Sequence, residues 1–219
     1  MTAGLLWVGF AIEVVATLTY LLGQIRDPDM SVHPITWTGL AIFMLAGASS
    51  SEEAGSGLAA IVLWAVAIGT GLVAIVSWFQ FRVRPEKSPK ITRQDWLLGA
   101  AGLALFGLSL LGWPPLLTAV FAIIGDWFFL IPTLEKVWDN PRSEGSYGKL
   151  SWTLTTVAVF LSLWTLKSYS ISTVLYPAYL VPSTALLAAA CWNHPVGKRF
   201  YYGLLGWGKT HFMARVSRA

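Results

Sequence analysis

The placement of charge constrains this chain most. Of its 219 residues only 12% are charged, about half the share of an ordinary soluble domain. Those charges fall in short clusters separated by apolar runs near twenty residues long. A helix rising 1.5 Å per residue needs roughly 20 residues to cross about 30 Å of hydrocarbon. In that medium the backbone must satisfy its own hydrogen bonds, which a helix does. With a mean hydropathy of +0.61, the pattern excludes a soluble globular enzyme. It predicts an all-α membrane protein of seven transmembrane helices, over residues 4–25, 34–49, 57–81, 96–113, 115–134, 150–166 and 171–192. Acidic Ser51-Glu52-Glu53, the basic stretch from Arg82 to Arg93, Gly112-Trp113-Pro114-Pro115 and the stretch from Asp139 to Glu144 read as the intervening turns.

Fourteen of the fifteen lysines and arginines follow odd-numbered spans, and only Lys167 falls on the other side. Cytoplasmic loops retain cations, so the N-terminus is expected outside and the C-terminus in the cytoplasm. The net charge of +4 is then a matter of topology, and no nucleic-acid partner is expected. No Lys or Arg precedes the first apolar run and no small-residue cleavage site follows it, so the first helix is expected to stay in the protein. Lys198, Arg199, Trp207, Lys209, Phe212, Arg215 and Arg218 suggest a basic amphipathic tail at the cytoplasmic interface. Cys191 is the only cysteine, which excludes a disulfide within the chain. His33, His194 and His211 fall in loops or the tail without metal-ligand spacing, so they read as solvated, and neither metal nor cofactor is expected. Short loops point to a multi-pass cell-membrane protein, of a bacterial inner membrane, with the bilayer as its main partner and an oligomer left open.

Sliding the chain on itself brings the first three helices over the last three. Ile25-Arg26-Asp27-Pro28 matches Val137-Trp138-Asp139-Asn140-Pro141 at an offset of 113, Thr36-Trp37 matches Ser151-Trp152 at 115, and Val62-Leu63-Trp64 matches Val174-Leu175-Tyr176 at 112. The expected architecture is two parallel three-helix repeats joined by a linker helix. Residues 4–81 form the first repeat, 82–113 the basic loop and linker helix, 114–192 the second repeat and 193–219 the tail. The unpaired fourth helix gives both halves the same orientation.

Glu13 and Asp126 are the only acidic or basic side chains deep inside a predicted span, and they lie 113 residues apart. By helical rise they sit about 14 Å and about 17 Å into their helices, near the midplane. An ionised carboxylate there costs at least about 2.5 kcal/mol. Such a group is kept because it is protonated, paired, or facing a hydrated cavity, and no Lys, Arg or His in the spans can pair with it. Two such acids have the profile of a proton-coupling site.

Glu13, Thr17, Tyr20 and Gln24 form one polar stripe on the first helix. Asp126 and Thr133 share a face of the fifth, with Pro132 a candidate kink. The seventh carries Tyr176, Pro177, Tyr179, Pro182, Ser183 and Thr184, and the third carries Trp64, Thr70 and Ser77. Glu13, Asp126, Thr17, Tyr20, Trp64, Trp127, Tyr176 and Tyr179 are the candidate substrate-binding residues. Pro132, Pro177 and Pro182 are candidate hinges. Of twelve tryptophans, Trp37, Trp78, Trp96, Trp113, Trp138, Trp152 and Trp192 fit an interfacial belt by position. Trp64, Trp127 and Trp164 are expected deeper.

This seven-helix, three plus one plus three layout resembles the PQ-loop and SWEET superfamily of transporters. Pro132-Thr133 stands where that family has its Pro-Gln pair, and Thr19-Tyr20 stands there in the first half. Asn140 and Asn193 lie at membrane ends, so no residue takes the place of the pocket asparagine of sugar carriers. The resemblance implies alternating access about a midplane site. The first functional reading is therefore a secondary transporter or facilitator of a small solute, coupled to protons through the buried carboxyls. A second is an intramembrane enzyme using paired carboxyls as acid and base on a lipid or isoprenoid. A third is a seven-helix receptor, though the absence of a lysine in the seventh span argues against a retinal protein.

Overall fold

The computed structural model describes residues 2–27, 30–84, 91–109 and 111–192. Among them are seven α-helices, one 3-10 turn and no strand: α1 (Thr2–Arg26), α2 (Pro34–Glu53), α3 (Ala59–Val83), α4 (Arg93–Ser109), α5 (Pro115–Asp139), the turn Pro141–Glu144, α6 (Gly145–Leu163) and α7 (Ile171–Cys191). Four stretches, Gly4–Arg26, Ala59–Val83, Pro115–Trp138 and Ile171–Cys191, are long and apolar enough to cross a membrane. The protein is a membrane-embedded helical bundle. α2 ends in Ser-Ser-Ser-Glu-Glu and α6 opens with Gly-Ser-Tyr-Gly-Lys, which lowers their apolar content, and α4 is short. The predicted basic tail, with His194 and His211, lies outside the described residues.

Local chemistry starts and stops the helices. The imidazole of His33 accepts the Thr36 N–H at the start of α2, and Pro34 occupies the first turn, where its missing donor costs nothing. A Ser170–Thr173 capping box opens α7. α4 ends before Trp113, contrary to the predicted span, because Gly112 at φ +72° and Pro114 begin a turn that no helix continues.

Packing places α3 against both α1 and α2, and α7 against both α5 and α6. Across the molecule α1 packs on α6 and α2 on α5, while α4 lies outside on α5 and α2. Gly39 meets Phe129 while Gly125 meets Phe43, so α2 and α5 run antiparallel. Ser151 donates to the Ala16 carbonyl while Gly9 abuts the Ala158 carbonyl, so α1 and α6 do the same. Tyr20, in the second half of α1, and Lys136, in the last turn of α5, both meet Glu144, so α1 and α5 point the same way.

Buried positions recur at nearly constant offsets along the chain. α1 and α5 are each 25 residues long, and buried Leu6, Gly9, Glu13, Ala16 and Tyr20 correspond, 113 residues on, to buried Ala119, Ala122, Asp126, Phe129 and Thr133. Buried Thr36, Trp37, Leu40, Phe43 and Met44 correspond at 115 to buried Ser151, Trp152, Thr155, Ala158 and Val159. For the third helices the register is 114, not 112: Val62, Val66, Thr70, Val73 and Ser77 match Tyr176, Leu180, Thr184, Leu187 and Cys191, all buried. Apolar identity along a buried helix is a weak ruler, whereas the pattern of which residues face inward is a sharper one.

Three tryptophans assigned to the interfacial belt are core residues: Trp37 is 4% exposed, Trp152 6% and Trp138 2%. Trp164, expected deep, is 60% exposed, because α6 ends at Leu163 and the residue falls on the turn beyond. Position along a span sets depth, but helix rotation sets burial.

Candidate functional site

One small cavity of about 30 Å³ lies at the centre of the bundle. It has room for a water molecule or two. Six helices contribute to its wall and α4 does not. α1 supplies Glu13, Thr17 and Tyr20, α2 Trp37, α3 Gly69 and Thr70, α5 Asp126, α6 Ser151, Trp152 and Thr155, and α7 Ser183 and Thr184. The two acids that sequence places far apart therefore line one space. Each sits eleven residues from the start of its 25-residue helix.

Their surroundings differ. The Thr17 hydroxyl donates to Glu13 Oε1 over 3.4 Å, and Thr155 of α6 also bonds to this carboxyl. Asp126 receives the phenol of Tyr179 on Oδ2 at 2.5 Å. Glu13 is 3% exposed and Asp126 1%, yet Glu13 Oε2 and Asp126 Oδ1 have no hydrogen-bond partner. No Lys, Arg or His lies among the lining residues. Gly69 makes room for Thr17: a Cβ there would run into the threonine hydroxyl that serves Glu13.

An aromatic layer closes the cavity toward the end of the bundle that carries Arg26, Arg82, Lys136 and Lys149, the basic end. Trp37 and Trp152 lie with ring centroids 5.5 Å apart at 32°, and Tyr20 sits 4.7 Å from Trp37 and 6.1 Å from Trp152. Beyond it the Tyr20 hydroxyl donates to Glu144 Oε2 at 2.5 Å and accepts from the Trp37 ring N–H. Glu144, 1% exposed, pairs with Lys136 at 3.4 Å, and Lys136 also donates to the Ser31 carbonyl. α1, α5, α6 and the segment before α2 are thereby tied together. Gln24, next on the polar stripe of α1, donates to Ser77 of α3 at 2.9 Å. At the opposite end closure is steric. Tyr176 presses on Gly47 and Phe43 on Gly125, where no larger residue fits.

Of the predicted site residues, Glu13, Thr17, Tyr20 and Asp126 line the cavity, and Tyr179 reaches it through Asp126. Tyr176 is buried outside it, donating to the Phe43 carbonyl at 3.1 Å. Trp127 packs at 6.3 Å from the Tyr179 ring without lining the cavity. Trp64 sits in a separate outer groove with Phe106 and Trp113, its N–H donating to Glu52 at 2.8 Å. Pro177 is buried and Pro182 exposed, both inside a continuous α7. Pro132 lies within α5, its side chain outside the described residues. Sequence reasoning missed Trp37, Trp152, Thr155, Lys136 and Glu144. The 115-residue match of Trp37 with Trp152 is the one signal that pointed there.

Among the described residues no group of three His, Cys, Asp or Glu side chains could hold a metal ion. No protein-family model, curated protein or solved structure matches the chain.

Proposed function

We propose that this protein is a secondary transporter of a small solute that works by alternating access, with protons carried on Glu13 and Asp126. One observation carries the reading: two carboxyls at the same position of their helices, 113 residues apart, face one cavity between two similarly packed helix triplets. Transporters built from repeats hold substrate and coupling ion near the midplane, at the repeat interface. A carboxyl kept in that place without a cation is a functional group by default, because its charge is costly and helix glue needs no acid.

Seven spans belong to the same proposal. α2, α4 and α6 each run antiparallel beside one of the four long apolar helices, so crossing with them needs no extra backbone exposure. The exchange-symmetric packing and the repeated burial registers support two parallel repeats, 4–81 and 114–192, about the linker helix. The fourteen-to-one cation asymmetry supports a cytoplasmic basic end, in a cell membrane such as a bacterial inner membrane.

Aromatic side chains narrow the cavity toward both ends, as an occluded intermediate requires. Opening the basic end means parting Tyr20 from Glu144 and Lys136, a polar tie that water can replace bond for bond. Opening the other means separating glycine-to-aromatic contacts, as two rigid bodies rocking apart would do.

Proton flux into proteoliposomes, followed with a pH-sensitive dye on adding a panel of small solutes, tests the proposal. The intact protein is expected to give solute-dependent flux that Glu13→Gln and Asp126→Asn each lower at least about tenfold, the cost of roughly 1.4 kcal/mol at the barrier. Flux that survives both replacements would refute proton carriage by these acids.

A further inference from the structure

The polar capacity of the cavity is one-sided. Each hydroxyl on its wall already spends its proton: Thr17 and Thr155 on Glu13, Thr70 on the Val66 and Ala67 carbonyls, Ser151 on Ala16, and Ser183 and Thr184 on Leu180. With the carboxyls ionised, what stays open are acceptors, above all Glu13 Oε2 and Asp126 Oδ1, both buried and unpartnered. Against them the lining offers a single unspent donor, the indole N–H of Trp152. A ligand that fills this space must donate more hydrogen bonds than it accepts. An anion would add charge to two carboxylates that no lining cation offsets, and a polyol would find only the Trp152 N–H to serve its several oxygens.

The aromatic layer narrows the class further. Trp37, Trp152 and Tyr20 present π-systems beside the acids, a surface that attracts cations and shelters hydrocarbon but offers a metal ion no ligand. We infer that the cavity takes a small organic ammonium ion, its N–H groups on Glu13 and Asp126 and its apolar body against Trp37 and Trp152. This rests on reading the cavity as the transport site and names what that site carries. The volume of about 30 Å³ is smaller than such an ion, so the indoles must part to admit a body of several heavy atoms.

Three probes of one shape and different charge test it on the purified full-length protein in detergent. These are phenethylammonium, 2-phenylethanol and phenylacetate, with methylammonium as a smaller cation. Calorimetric titration is expected to show phenethylammonium binding at least about tenfold tighter than the alcohol, with phenylacetate inert. Glu13→Gln and Asp126→Asn, both near-isosteric, are expected to weaken the ammonium ion and leave the alcohol where it was. The first comparison needs only the unaltered protein, so it stands even if a variant fails to fold. Equal binding of the alcohol or the carboxylate overturns the inference, as does binding of neither ammonium ion or full displacement of phenethylammonium by sodium. Ammonium binding without uptake into proteoliposomes would sink the transport reading and leave the cation site standing. Solute-dependent proton flux with a neutral or anionic solute alone would do the reverse.

Discussion

At Tyr20 one hydroxyl serves both the cavity wall and the closure of the basic end. Its ring faces the indoles, while its oxygen, between the Trp37 N–H and Glu144, holds a buried carboxylate whose other support is Lys136. Tyr20→Phe keeps the ring and removes the hydroxyl, leaving Glu144 one donor short at a cost of about 1–3 kcal/mol. Cys191, the only cysteine, is fully buried within electrostatic reach of both Tyr20 and Glu144, so it is a native reporter of this end. Its reaction with a maleimide in membranes is expected to be slow in the intact protein and severalfold faster in Tyr20→Phe. An unchanged rate in a folded variant would show that the tie does not hold the end shut. Glu13 and Asp126 were legible in the sequence because a lone acid in an apolar run has few explanations. Glu144 was not: it ends a polar turn like any surface acid, and only the packing of α5, α6 and α7 around that turn, with Tyr20 of α1 against it, buries it.

At the scale of the element, the start of α2 couples to pH. His33 Nδ1 accepts the Thr36 N–H, and Nε2 faces Asp95 at the start of α4 at 3.6 Å. Burial, aided by Lys136, holds the imidazole below its ordinary value of 6.5 despite the Asp95 carboxylate. The sign follows: the unfolded chain takes up the proton first, so stability is full above about 6.5 and declines as pH falls below it. Protonating Nδ1 also ends the cap, worth about 0.5–2 kcal/mol. Thermal unfolding in detergent is expected to show the midpoint falling between about pH 7.5 and pH 5 in the intact protein. His33→Asn, which caps without titrating, should flatten that fall; an equal fall in both would assign it to other groups. Helix boundaries were legible where Pro or a cap opens a helix, as at Pro34, Pro115 and Ser170, and not at Gly112, where the predicted span ran on. Helix rotation was not, since spans apolar on every side leave no polar face to mark the outside, and so Trp37, Trp138 and Trp152 passed for belt residues.

For the whole molecule, the succession of seven helices was readable from the apolar runs, and the packing of α1 on α6 and α2 on α5 was beyond any local signal. The proposed orientation makes a sharp expectation. Lys167 is exposed at the end opposite the basic one, bonded through its N–H to the Ser56 carbonyl. On intact cells an amine-reactive, membrane-impermeant reagent is expected to modify Lys167 and to spare Lys136 and Lys149 until the membrane is opened; the converse would invert the topology.

The unlike partners of the two acids, threonines for Glu13 and a phenol for Asp126, carry a further meaning. An assembly of two identical triplets would offer its guest two indistinguishable ways to sit, and head and tail would be interchangeable. In the proposed transporter, which carries both repeats in one chain, that degeneracy is lifted. A guest with unlike ends has a preferred way round, and each half can drift toward a separate task, one acid keeping the proton while the other learns the shape of the cargo.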